Sequence, residues 1–111
     1  MDISFSGNLL TMPNNKTTQF QYEIRKIEIF DELIIVLLRI PQGTIFNENI
    51  YGVDLSTDIR WQIEKIVPST EDSPYVNIKK SANGLDAFNW SGVKARINLK
   101  TGKVAHKRIT K

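Results

Sequence analysis

No window of about twelve residues in this chain repeats its apolar side chains at the spacing an amphipathic helix needs. Apolar residues come instead in short β-branched and aromatic runs, each closed by Gly, Pro, Asn or Asp. That pattern argues against helical bundles and doubly wound α/β folds, and predicts an all-β domain. At 111 residues the chain is the size of one domain, 1–111, large enough to carry a core without metal or disulfide staples.

Individual segments carry their own signatures. A short first strand is expected over Ser4–Leu10, then a polar loop, Pro13-Asn14-Asn15-Lys16. From Thr18 to Phe30 a long strand is expected, in which Phe20, Tyr22 and Ile24 alternate with Gln21, Glu23 and Arg25. Ile27 and Ile29 then continue on the opposite parity, which one extra residue near Arg25-Lys26 would explain as a β-bulge. Asp31-Glu32 closes a hairpin into Leu33–Ile40, whose unbroken apolar run predicts a central strand covered on both faces. Strands at Asn49–Asp54 and Ile59–Val67 follow. In the second, Ile59, Trp61 and Ile63 share one face, which makes Trp61 a core residue. After the Pro, Ser and acidic loop Pro68–Pro74, the remaining strands are separated by Asn83-Gly84, Ser91-Gly92 and Thr101-Gly102. Each of these turns offers a glycine where positive φ is needed.

One phrase occurs twice. Val53-Asp54-Leu55-Ser56-Thr57-Asp58 aligns with Ile97-Asn98-Leu99-Lys100-Thr101-Gly102 at an offset of 44 residues. Asp54 and Asn98 are each placed to bond backbone N–H groups ahead of them as an Asx turn. Gly102, or Asp58, takes the left-handed position. With one gap, Trp61 falls opposite His106. These segments, IYGVDLSTDIRWQI and VKARINLKTGKVAHKRI, resemble the repeats of quinoprotein-type β-propellers. Tyr51, Val53, Asp54, Thr57 and Trp61 carry the likeness in one copy; Ile97, Thr101, Gly102, Lys103 and Val104 carry it in the other. Asp58 departs from the family's glycine, Asn98 from its aspartate and His106 from its second tryptophan. The resemblance implies a blade-like internal repeat over 45–66 and 88–109. A closed propeller needs at least four blades, so the family's quinone cofactor and dehydrogenase activity do not carry over. The expected architecture is about eight antiparallel strands in two blade-like sheets, packed as a sandwich or open barrel.

Chemistry is scarce. The chain has no cysteine and one histidine, His106, with no acidic residue nearer upstream than Asp86. That leaves no thiolate or His-rich metal set, no oriented nucleophile–base pair and no Gly-rich phosphate loop ahead of a helix. A non-enzyme without metal or cofactor is expected. The N-terminal residues have no secretory pattern and the longest apolar run is far too short to span a bilayer, so a cytoplasmic protein away from membranes is expected.

The charges are uneven. Seven cations and no acid follow Asp86, whereas the residues before them are net −4. In Val93–Leu99 the cations Lys94 and Arg96 alternate with apolar residues and so share an outward face, which Lys103, Lys107 or Arg108 on the next strand is expected to extend. Trp90, at the Ser91-Gly92 turn, is the expected exposed aromatic. Lys94, Arg96, Lys107, Arg108 and Trp90 are thus the candidate partner-binding residues. Three readings follow: a protein-binding module of the small bacterial inhibitor or immunity type, single-stranded nucleic-acid binding through the basic face, and a self-assembling homo-oligomeric module.

Overall fold

The computed structural model describes residues 2–82 and 84–109, with only the backbone at 106, 108 and 109. Among these residues there is no helix, hence none long and apolar enough to cross a membrane. The described residues form eleven strands in three antiparallel sheets, none closed into a barrel. Sheet A is β1 (Ser4–Ser6), β2 (Leu9–Thr11) and β3 (Thr17–Gln19). Sheet B is β4 (Ile24–Phe30), β5 (Leu33–Leu38), β6 (Ile50–Asp54) and β7 (Ile59–Gln62). Sheet C is β8 (Tyr75–Ser81), β9 (Gly84–Asn89), β10 (Val93–Ile97) and β11 (Val104–Ile109). Each sheet is a meander whose strands pair in chain order.

Sheet B lies in the middle, and β5 is the reason. Ile35 and Leu37 enter one core with Ile50, Trp61 and Ile63 of the B side and Ile78, Leu85, Ala95 and Ile97 of sheet C. Ile34, Val36 and Leu38 point the other way, into a second core with Leu10, Met12, Phe20 and Ile24. The expected double coverage of this strand is what the structure has. The third sheet was not expected. It forms because the two N-terminal segments each divide: β1, β2 and β3 cover the far side of β5, while β4 pairs with β5 in sheet B. Gly7, at φ 58°, and Asn8 turn β1 back into β2 with Ser6 opposite Leu9. The long strand expected from Thr18 breaks at 20–23, where the chain passes from sheet A to sheet B. Phe20 N–H donates to Asn8 O (2.9 Å) and Ile24 N–H to Gly7 O (2.8 Å), so the crossing backbone is held against the first turn. The alternation survives the break: Phe20 and Ile24 are buried, Gln21 and Glu23 exposed.

The bulge falls at Arg25, with Ile24 opposite Leu38 and Lys26 opposite Leu37. It allows Ile24, Ile27 and Ile29 all to face sheet A. A second irregularity corrects the reading of β7. Gly52 pairs with Trp61 but Val53 pairs with Ile59, so Arg60 is the extra residue and Ile59 sits on the opposite face from Trp61.

The two similar phrases form the β6–β7 and β10–β11 turns, joining the third and fourth strands of their sheets. Both make the expected Asx turn: Ser56 N–H donates to Asp54 Oδ1 (2.9 Å) and Lys100 N–H to Asn98 Oδ1 (2.9 Å). The left-handed residue of the first turn is Thr57 (φ 73°) rather than Asp58; in the second it is Gly102 (φ 76°). The first loop is one residue shorter, 54–58 against 98–103, so the reversal comes one position earlier.

Trp61 joins sheets B and C. Its indole lies between Gly52, its cross-strand neighbour, and Gly102 in the turn of sheet C. A Cβ on Gly52 would come 2.4 Å from Trp61 Cε2, and one on Gly102 2.6 Å from Cε3. The ring Nε1–H donates to Leu99 O at 2.7 Å. Along the edges β4 and β8, lysines make the connection instead. Lys26 Nζ donates to Ile78 O (2.6 Å), and Lys80 Nζ to Ile29 O (2.6 Å) while lying over the Phe30 ring. The outer faces of the stack are mainly polar. Sheet A presents Ser4, Ser6, Thr11, Thr17 and Gln19 around Leu9; sheet C presents Asn77, Lys79, Asp86, Lys94 and Arg96 around Phe88.

Candidate functional site

The two ends of the sheets differ. At one end of sheet B and its neighbour β8 are tight reversals: Asp31-Glu32, the 54–58 loop and the turn into Gly84. At the other end lie the irregular segments 39–49 and 63–74, the crossing 20–23, and the turn 90–92. Binding residues collect on loops that a rigid scaffold positions, so this end is where a site is expected.

These loops are tied down by side-chain amides. Asn47 Oδ1 accepts from Ser73 N–H (2.8 Å), and Asn47 Nδ2 donates to Glu71 O (2.7 Å). Two residues on, Asn49 Oδ1 accepts from Tyr75 N–H, and Asn49 Nδ2 donates to Tyr75 O and Leu38 O, all at 2.8 Å. Side chains at i and i+2 of an extended segment project to the same side. The two amides therefore stand in for peptide groups opposite residues 71–75. The Asn-x-Asn spacing ahead of β6 was the sequence signal for this, and the pattern reading passed over it.

Trp90 is held in the same way and left outside. It is 74% exposed. Its N–H donates to Pro74 O (2.9 Å), the Ser73 and Ser91 hydroxyls meet at 2.6 Å, and Val93 N–H donates to Asn89 Oδ1 (2.9 Å). On the neighbouring loop Ile45 is 49% exposed, beside Phe46, whose ring packs on Tyr22 with centroids 5.5 Å apart. A cleft of about 310 Å³ lined by Gln21, Tyr22, Glu23, Arg39 and Pro41 opens at this end.

Of the expected basic residues, the structure places Lys94 and Arg96 on one face of sheet C and Lys107 on the other. Lys94 and Arg96 point outward from β10, but both meet the buried carboxylate of Asp86 on β9. Arg96 Nε–H donates to Asp86 Oδ1 at 2.7 Å, and Lys94 Nζ lies 3.8 Å from Oδ2. Lys107 pairs with the buried Ala95 and so stands on the opposite face from Lys94. The backbone of Arg108 pairs with Lys94 and that of His106 with Arg96, while both side chains lie outside the described residues, as does Asn83. Among the described residues no group of three or more His, Asp or Glu is placed to hold a metal ion.

Burial raises the phenols of Tyr51 and Tyr75 above their ordinary range, Tyr75 the more strongly. Burial, and next the charges of Glu48 and Glu64, hold the Tyr75 phenol well above the usual 10.0. Its Oη has no hydrogen-bond partner among the described residues. A raised folded-state pKa means that the unfolded chain gives up its proton first. The stabilisation is complete below pH 10 and is lost as pH rises beyond it. Tyr75→Phe is therefore expected to be neutral or slightly stabilising at pH 7, because it removes a buried hydroxyl without a partner. It should also flatten the alkaline fall in melting temperature. An unchanged alkaline slope in the variant would refute this assignment.

No curated protein sequence matches the chain. Among solved structures, the computationally designed protein Ika8 is similar in fold, with a TM-score of 0.63 at 11% identity. The match covers 98% of this chain and 36% of Ika8, so the chain spans about a third of that protein's length. At this identity the likeness extends to fold alone. A family model matches residues 1–109, and the chain belongs to that family, the domain of unknown function DUF7957.

Proposed function

We propose that this chain is a non-enzymatic protein-binding module that engages its partner through the loop end, with Trp90 as anchor. One observation carries the reading: a tryptophan 74% exposed on a turn fixed by several hydrogen bonds. Exposing a large apolar ring gains nothing for folding, whereas a preorganised aromatic at the centre of an interface is the commonest kind of binding hot spot. The pairing of Lys94 and Arg96 with Asp86 weakens the nucleic-acid alternative, since those cations already have a counter-charge. The mainly polar outer faces of sheets A and C argue against self-assembly by face stacking. The size and lack of a reaction centre suit a small cytoplasmic inhibitor or immunity-type protein of bacteria, a reading by analogy. The likeness to quinoprotein-type repeats is read as shared sheet architecture, without dehydrogenase chemistry.

Trp90→Ala tests this. It is expected to leave the melting temperature unchanged and to weaken partner binding by at least about 2 kcal/mol. Affinity capture from the source organism should recover a protein with the wild-type chain and lose it with the variant. Equal recovery by both chains, or salt-sensitive recovery of nucleic acid instead, would exclude the proposal.

A further inference from the structure

A second surface lies away from Trp90, at the outer edge of sheet C. β11 is an edge strand, and among the described residues no strand pairs with its outer side. Just past β7 the chain starts along this edge. Glu64 N–H donates to Gly102 O (2.9 Å), and Val104 N–H donates to Glu64 Oε1 (2.8 Å). The Glu64 carboxylate thus occupies, at one position, the place a neighbouring strand's carbonyl would take. Beyond it the two segments part and leave an open cleft of about 560 Å³. Glu64, Lys65 and Ile66 form one wall, and Val104, Ala105 and Lys107 the other.

We infer that this cleft accepts an extended acidic segment of a partner protein, which adds to β11 as a fifth strand of sheet C. Main-chain bonding to an unpaired edge supplies affinity for any extended peptide; the side chains along the edge set the choice. Here the choice is electrostatic and apolar together. Lys65 and Lys107 are exposed on opposite walls, and the only acid among the described residues lining the cleft, Glu64, is engaged by Val104. The strand belongs to the stretch after Asp86 that holds seven cations and no acid. Ile66 and Val104 are partly buried against the core and offer an apolar floor. Lysines on an edge also repel the edges of other basic chains, so the cations that prevent self-pairing select an acidic guest. The inference goes beyond the Trp90 reading and does not depend on it, because no wall of the cleft includes Trp90.

The probe is a short fluorescent peptide of alternating glutamate and valine, titrated against the full chain. Saturable binding is expected, with slowed amide exchange confined to residues 104–108. Lys65→Glu combined with Lys107→Glu should weaken it by about tenfold or more. The pair Lys16→Glu and Lys79→Glu, which changes net charge equally elsewhere, should leave it unchanged. Three results would each overturn the inference: no binding, equal weakening by both charge-reversed pairs, or equally tight binding of a peptide with lysine in place of glutamate.

Discussion

Trp61→Ala is expected to cost about 3–5 kcal/mol. The ring fills the space between the backbone of two sheets, so removing it leaves a cavity with Gly52 on one side and Gly102 on the other. Neither glycine can fill that cavity, and Leu99 O loses its donor as well. The converse change is expected to fail too. Gly102→Ala brings a methyl within 2.6 Å of the ring at a φ of +76°, where a side chain is strained in any case. The ring cannot move aside, because Gly52 stands close behind it. Equilibrium urea unfolding of both variants gives the sizes directly. A loss under about 1 kcal/mol for Trp61→Ala would mean that sheet C docks on sheet B by its aliphatic residues alone.

Asn49→Ala is the second large effect, about 3–5 kcal/mol, and its cause is polar rather than steric. Asn49 is fully buried and closes both backbone groups of Tyr75. Each buried donor or acceptor left open costs about 1–3 kcal/mol, and Leu38 O loses a bond besides. Asn49→Leu separates the two causes, being close to asparagine in size and without polar atoms. If lost volume were the problem, leucine would restore stability. It is expected to do no better than alanine, and a leucine variant near wild type would contradict the proposed role.

The sequence carried the periodic parts of this fold. Alternation in Phe20–Ile24, the parity change at Arg25 and the doubly covered Leu33–Leu38 run were all legible, because each follows from which side of a strand a residue faces. What stayed hidden depends on contacts between segments distant in the chain. The break at 20–23 keeps its alternation while changing sheets, so periodicity alone could not reveal it; Gly7-Asn8 was the available hint. Asp86 looked like a lone acid ahead of a cationic tail, and only the register of β9 against β10 places it beside Arg96. The exposure of Trp90 was legible from its turn. The loop carrying Ile45 and Phe46 was not, since what gives it a shape is a pair of asparagines reaching residues 71–75.

The mainly polar outer faces of sheets A and C have a consequence for how such a chain can change in length. A further sheet laid on either end would have to desolvate Lys79 and the Asp86–Arg96 ion pair, or a row of hydroxyls and amides. Growth from the ends therefore carries a desolvation cost. The junction between sheets B and C is different, because apolar residues line it from both sides. A four-stranded insert with two apolar faces, entering at the 63–74 connection, would meet a compatible surface above and below. Longer members of such a lineage are expected to gain their extra sheets at this internal joint and to keep their two terminal faces.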